Sequence, residues 1–154
     1  MNTKRREVLK TGGGLLGLAA AAGLLRSSQA FAQEWNKAAF GTRSLAEAIK
    51  ALGGAGSTES PAIQITAPDI AENGAVVPIS VESRVPRTQA IAFVIEKNPS
   101  ILSANFEIPE GTDAFVTTRV KMAETSNVYA LVRAGGRYFH AVKEVKVTQG
   151  GCGG

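Results

Sequence analysis

The chain has 154 residues, with 17 Lys and Arg against 13 Asp and Glu, one histidine and one cysteine. One cysteine excludes an internal disulfide and, with a lone histidine, a metal cluster built from those ligands. The basic excess sits at the N-terminus: residues 1–32 hold five of the cations and one of the anions, leaving twelve charges of each sign beyond them. No basic stripe with interleaved aromatics remains, which sets nucleic-acid binding aside.

Residues 1–32 read as an export signal. A charged start, Lys4-Arg5-Arg6-Glu7, precedes an apolar Gly- and Ala-rich run from Gly12 to Leu25, and Ala30-Phe31-Ala32 offers a small-residue cleavage site before Gln33. Arg5 and Arg6 with a weakly hydrophobic run resemble a twin-arginine signal. Lys4 and Val8 stand where such signals usually carry Ser or Thr and Phe. Fourteen apolar residues are too few to cross a bilayer core of roughly 30 Å. The expected organisation is thus a signal at 1–32, one domain at 33–148 and a terminal arm at 149–154, with the mature protein in the periplasm.

From Glu34 to Leu52, Trp35, Ala38, Ala39, Leu45, Ala48, Ile49 and Leu52 recur at helical spacing. Gly41-Thr42 breaks the run, and Ser44 with Glu47 forms a capping-box pair that starts a second helix. Gly53 to Pro61 reads as a linker. Beyond it the period is two. Strands are expected at 62–66, 75–83, 90–97, 102–108, 114–122, 127–134 and 137–148, separated by turn signals such as Asn73-Gly74, Asn98-Pro99 and Gly135-Gly136. Seven short strands at this spacing predict a mainly β fold, an immunoglobulin-like antiparallel sandwich with short N-terminal helices. Pro78 marks an edge or a bulge. Ile91, Phe93 and Ile95 are backed by Ala92 and Val94, so both faces of that strand are buried; either the helices or another protein covers the outer one.

The last expected strand runs into Gly150-Gly151-Cys152-Gly153-Gly154. Glycine visits both signs of φ, so this segment should act as a slender arm carrying the thiol of Cys152. A free cysteine titrates near 8.5, and no neighbour in sequence lowers that, so the thiol depends on partners for activation. His140 lies twelve residues upstream and reads as structural. Arg84, Arg87, Asp69 and Glu72 form no catalytic arrangement, and the chain is expected to carry a load rather than to be an enzyme. Two other readings use the same residues. One is an exported immunoglobulin-like binding module whose terminal cysteine forms an intermolecular disulfide; the other is a C-terminal thiocarboxylate on Gly154, which export from the ATP-containing compartment disfavours.

The terminal Gly-Gly-Cys-Gly-Gly, the stretch Ala71-Glu72-Asn73-Gly74-Ala75-Val76-Val77-Pro78, the segment Glu96-Lys97-Asn98-Pro99 and the twin-arginine leader together resemble the SoxY family, sulfur-carrier subunits of the thiosulfate-oxidising Sox system. Ser100 departs from the pattern, since similar sequences often continue with another proline pair. The resemblance implies a heterodimer with SoxZ. It also implies that Cys152 couples oxidatively to thiosulfate at SoxXA, a c-type cytochrome, as a cysteine S-thiosulfonate. That adduct would pass to the manganese hydrolase SoxB and, where present, to SoxCD. It implies no cofactor and no metal on this chain, and no membrane contact after signal removal.

Overall fold

A computed structural model describes residues 36–149. Trp35 and the whole export signal, Arg5 and Arg6 included, lie outside the described residues.

Among the described residues two short helices come first, α1 (Lys37–Phe40) and α2 (Leu45–Ala51). The caps explain where α2 begins and ends. Ser44 is extended, and its hydroxyl accepts from Glu47 N at 3.2 Å, while the Glu47 carboxylate accepts from Arg43 N at 3.0 Å, one residue earlier than in a standard capping box. At the other end Gly54 N donates to Ile49 O and Gly53 N to Lys50 O, with Gly53 at φ +89°: a Schellman stop that demands glycine. The break at Gly41-Thr42 is present, and α1 is a single turn.

Nine strands follow: β1 (Ser57–Glu59), β2 (Ile63–Thr66), β3 (Ile70–Ala71), β4 (Val77–Ser83), β5 (Thr88–Ile95), β6 (Leu102–Glu107), β7 (Phe115–Val120), β8 (Ser126–Ala134) and β9 (Arg137–Val147). One sheet has the order β1-β9-β8-β5-β6, with β3 also paired to β9; the other is β2-β4-β7. The immunoglobulin-like sandwich stands, and all seven expected strands are present within one to two residues at most ends. The ladders between those seven are antiparallel. Two corrections concern short elements. The stretch expected as a linker contains β1, and β3 was not foreseen; both pair parallel to β9. Three and two residues are too few to show a period, and backbone pairing to a longer strand holds them.

Pro78 has a local explanation. β4 is the central strand of its sheet, but Ser83 N points to Ala114 O and Arg84 N to Ala62 O, so even-numbered nitrogens face β2. The β2 ladder ends at the Thr66–Ser80 pair, and Pro78, paired only with Arg119 of β7, loses no ladder bond. It sits at a local edge within a central strand.

The alternation of β4, β5 and β8 builds two cores. Inside the sandwich Val77, Ile79 and Val81 face Ile91, Phe93, Ile95, Val128, Ala130 and Val132, and Phe93 meets Phe106 edge-to-face at 6.0 Å. On the outer face Ala92, Val94, Leu131 and Tyr138 are buried with Ala39, Ala48 and Ile49. The helices therefore cover that part of the sheet. Tyr138 fastens them: its hydroxyl donates to Leu52 O at 2.6 Å. Ser100, the residue that departs from the family pattern, donates to Phe40 O and so ties α1 to the β5–β6 turn.

Candidate functional site: the root of the C-terminal segment

Cys152, Gly150, Gly151, Gly153 and Gly154 lie outside the described residues, so the site is built from what holds Thr148 and Gln149. β9 is the longest strand, eleven residues, because Gly135 and Gly136, both at positive φ, turn the chain from β8 into a long hairpin that stays in register from Ala134–Arg137 to Ser126–Val145. Past that register a collar takes over. Lys146 N donates to Asp69 O at 3.0 Å, Val147 N to Thr125 Oγ1 at 2.9 Å and Thr148 N to Ala71 O at 3.1 Å. The Thr148 hydroxyl donates to Glu72 O at 3.1 Å, and Gly74 N donates to Gln149 O at 2.7 Å. A terminal segment is thus bonded residue by residue out to position 149. Such termini usually fray unless tied down.

The collar is itself braced. Gly74 O accepts from Met122 N at 2.7 Å, and Met122 is fully buried. On either side of Met122 the Asn98 side chain bridges the chain, donating to Lys121 O at 2.8 Å and accepting from Ala123 N at 3.0 Å. Two segments far apart in sequence, Asn73-Gly74 and Asn98-Pro99, so converge on one relay: Asn98, Met122, Gly74, Gln149. From local sequence both read as turns, and both carry the family resemblance, but neither shows this convergence. Thr125, just before β8, supplies the acceptor for Val147. A side chain that bonds across the molecule leaves no periodic trace, which is why these roles were missed.

Charge around the collar is modest. Lys143 bridges Asp69 Oδ1 at 3.0 Å and donates to Ala67 O at 2.7 Å, fixing the loop before β3. Lys97 approaches Glu124 at 3.7 Å between exposed side chains, worth at most about 1 kcal/mol. Ile70 and Val76, 58% and 53% exposed, flank the collar as an apolar rim.

The other sequence candidates lie elsewhere. His140 is in mid-strand with Nδ1 2.9 Å from Ser57 Oγ, a tie between β9 and β1. Seven residues separate it from Val147, on the order of 24 Å of strand. Arg84 pairs with Glu82 at 3.0 Å, and Arg87 lies at the opposite end of β5, in the left-handed region at φ 58°. Among the described residues no three His, Cys, Asp or Glu side chains gather to hold a metal, and no helix is long and apolar enough to cross a membrane. Two phenols on the outer face are raised above 10.0: Tyr138 by burial, and Tyr129 by burial and then by the Glu96 carboxylate.

Fold and site together define a class: an immunoglobulin-like sandwich that anchors a cysteine-bearing C-terminal segment at the end of its longest strand. The comparisons narrow it. Residues 49–152 match the family model of the sulfur oxidation protein SoxY, and the chain belongs to that family. The solved structure of the sulfur carrier protein SoxY from Chlorobium limicola f thiosulfatophilum is 41% identical, covering 73% of this chain and 99% of that one with a TM-score of 0.63. A chain from a structure on T cell specificity and activation by the bacterial superantigen toxic shock syndrome toxin-1 aligns at 13% identity and a TM-score of 0.38, covering 55% of this chain and 98% of that one, too little to carry an argument. No curated protein matches the chain.

Proposed function

We propose that the protein is a periplasmic sulfur carrier of thiosulfate oxidation, not an enzyme, which holds its load covalently on Cys152. The observation that carries the reading is the collar. Backbone and side-chain bonds fix the segment as far as Gln149, and Cys152 follows three residues later, within roughly 11 Å of that anchor by chain length. Nothing broader than glycine flanks the thiol, so the segment fits a narrow active-site channel. The family match spans Cys152, and the Chlorobium relative is a sulfur carrier by name.

The chemistry is the one that membership of the SoxY family implies for a thiol with no activating neighbour in sequence. Cys152 and thiosulfate join in a two-electron oxidation: an S–S bond forms, the thiol proton leaves and two electrons pass to the c-type haems of SoxXA. Water, activated at the manganese centre of SoxB, then cleaves the terminal S–S bond of the S-thiosulfonate. Sulfate leaves, and a persulfide stays on Cys152 for SoxCD where that enzyme is present. This chain contributes the sulfur atom and its placement. SoxZ is the heterodimer partner, and Arg5 and Arg6 direct export of the folded pair.

Intact mass spectrometry of the mature protein from cells oxidising thiosulfate, before and after reductant and beside Cys152→Ser, tests the reading. A reductant-sensitive thiosulfate or sulfane adduct absent from Cys152→Ser is expected. A bare thiol, or only a disulfide-linked dimer, would overturn it in favour of an exported binding module.

A further inference from the structure

Asn-Gly is the dipeptide most prone to spontaneous succinimide formation, because glycine places no side chain between its own backbone nitrogen and the asparagine amide. Asn73 is exposed, and its Oδ1 accepts from Ala75 N at 2.9 Å, which polarises the side-chain carbonyl and keeps it folded back over Gly74. One contact opposes the attack. The nitrogen that would act as nucleophile, Gly74 N, donates its proton to Gln149 O at 2.7 Å. To react, it must lose that proton and turn towards Asn73 Cγ, and the hydrogen bond resists both. The buried Gly74 carbonyl, bonded to Met122 N at 2.7 Å, holds the peptide from its other side. The acceptor that protects Asn73 belongs to the C-terminal segment, the part of the chain that the collar anchors.

We propose that Asn73 is a modification site kept quiescent by the docked root of the C-terminal segment. When Thr148 and Gln149 leave the collar, base removes the Gly74 N–H proton and the nitrogen bonds to Asn73 Cγ. The bond from Cγ to the side-chain nitrogen breaks, and ammonia departs with a proton. Water then opens the cyclic imide at either carbonyl, leaving aspartate or isoaspartate at position 73 with no change of oxidation state. Either product puts a new carboxylate beside Glu72. The isoaspartate form also adds a methylene to the backbone between Glu72 O and Gly74 N, the two groups that grip Thr148 and Gln149. The modification therefore weakens the dock that had prevented it. Each undocking adds to an irreversible record at the root of the segment, whatever load the segment carries.

The test uses the purified full-length chain in mildly alkaline buffer, with peptide mapping by mass spectrometry to follow deamidation and the chromatographic splitting of isoaspartate at Asn73. Thr148→Pro removes both Thr148 bonds, and Thr148→Val removes the hydroxyl bond alone. The wild type should convert far more slowly than the same chain in denaturant. At about 1 kcal/mol per hydrogen bond, Thr148→Pro should convert roughly 30-fold faster than wild type and Thr148→Val roughly fivefold faster. Hydrogen exchange at the Gly74 amide should accelerate in the same order. Faster exchange at Gly74 with unchanged conversion of Asn73 would overturn the proposal, as would wild-type conversion at the denatured rate. Should Thr148→Pro fail to fold, the comparison of Thr148→Val with wild type decides the matter.

Discussion

Asn98→Ala is the sharpest probe of the relay that braces the C-terminal anchor. The substitution removes the donor to Lys121 O at 2.8 Å and the acceptor from Ala123 N at 3.0 Å, and it touches no residue of the collar itself. Each bond is worth about 1 kcal/mol net, so the local cost is about 2 kcal/mol. At about 1.4 kcal/mol per factor of ten, that corresponds to roughly 30-fold faster opening of whatever the bridge holds. Because Met122 N joins that bridge to Gly74 O, the opening should pass to Gly74 and from there to Gln149. Native-state hydrogen exchange resolves this residue by residue. The amides of Met122, Ala123, Gly74 and Thr148 should lose protection together, whereas Phe93 and Ala130 in the sandwich interior should keep theirs. Acceleration at Met122 and Ala123 with Gly74 and Thr148 unchanged would refute the relay and leave Asn98 a local turn brace.

The helical cover and its tyrosine give two further tests. In Gly54→Ala, the new Cβ would stand 2.5 Å from Tyr138 Cδ2 and 2.7 Å from Ile49 Cγ2, so chemical denaturation should show a loss of about 1 to 3 kcal/mol. Gly56→Ala, with nothing within 4 Å, serves as the control and should be nearly neutral. Tyr138→Phe removes the bond to Leu52 O and should cost about 1 kcal/mol at neutral pH. The phenols of Tyr138 and Tyr129 are raised above 10.0, so the folded state holds these protons more tightly than the unfolded chain. The stability this confers is complete below pH 10 and is lost as pH climbs through the raised values. Denaturation midpoints measured at about pH 8 and about pH 11 should fall more steeply for wild type than for Tyr138→Phe.

Long periodic strands were legible in the sequence, and so was the double burial of β5 and β8, since Ile91, Phe93 and Ile95 alternate with Ala92 and Val94 in a row that only a two-faced strand requires. The start of α2 was equally plain, because Ser44 and Glu47 act on backbone a few residues away. What stayed hidden acts over distance. Ser57-Thr58-Glu59 looks like a linker because its polar residues carry no pattern, and only the presence of β9 alongside makes it a strand. Asn98 looks like a turn residue because its side-chain partner Lys121 lies 23 positions away. Pro78 announced an edge, yet its strand is central, because where a ladder stops depends on the length of its neighbour β2. For the thiol, composition pointed to the glycines around Cys152. The anchor on which its reach depends could be recognised only from the folded chain.

The parallel strands on β9 have a mechanical meaning. β8 flanks β9 from Arg137 to Val145, β1 grips the opposite edge at its start and β3 at its end. A partner that pulls on the C-terminal segment along the strand axis therefore loads these rows of hydrogen bonds in shear, so that many must yield at once. A pull across the sheet would instead peel them open one by one. The placement of β1 and β3 on the far edge makes β9 a tether that resists traction along its own axis, and the sandwich behind it need not deform under such a load.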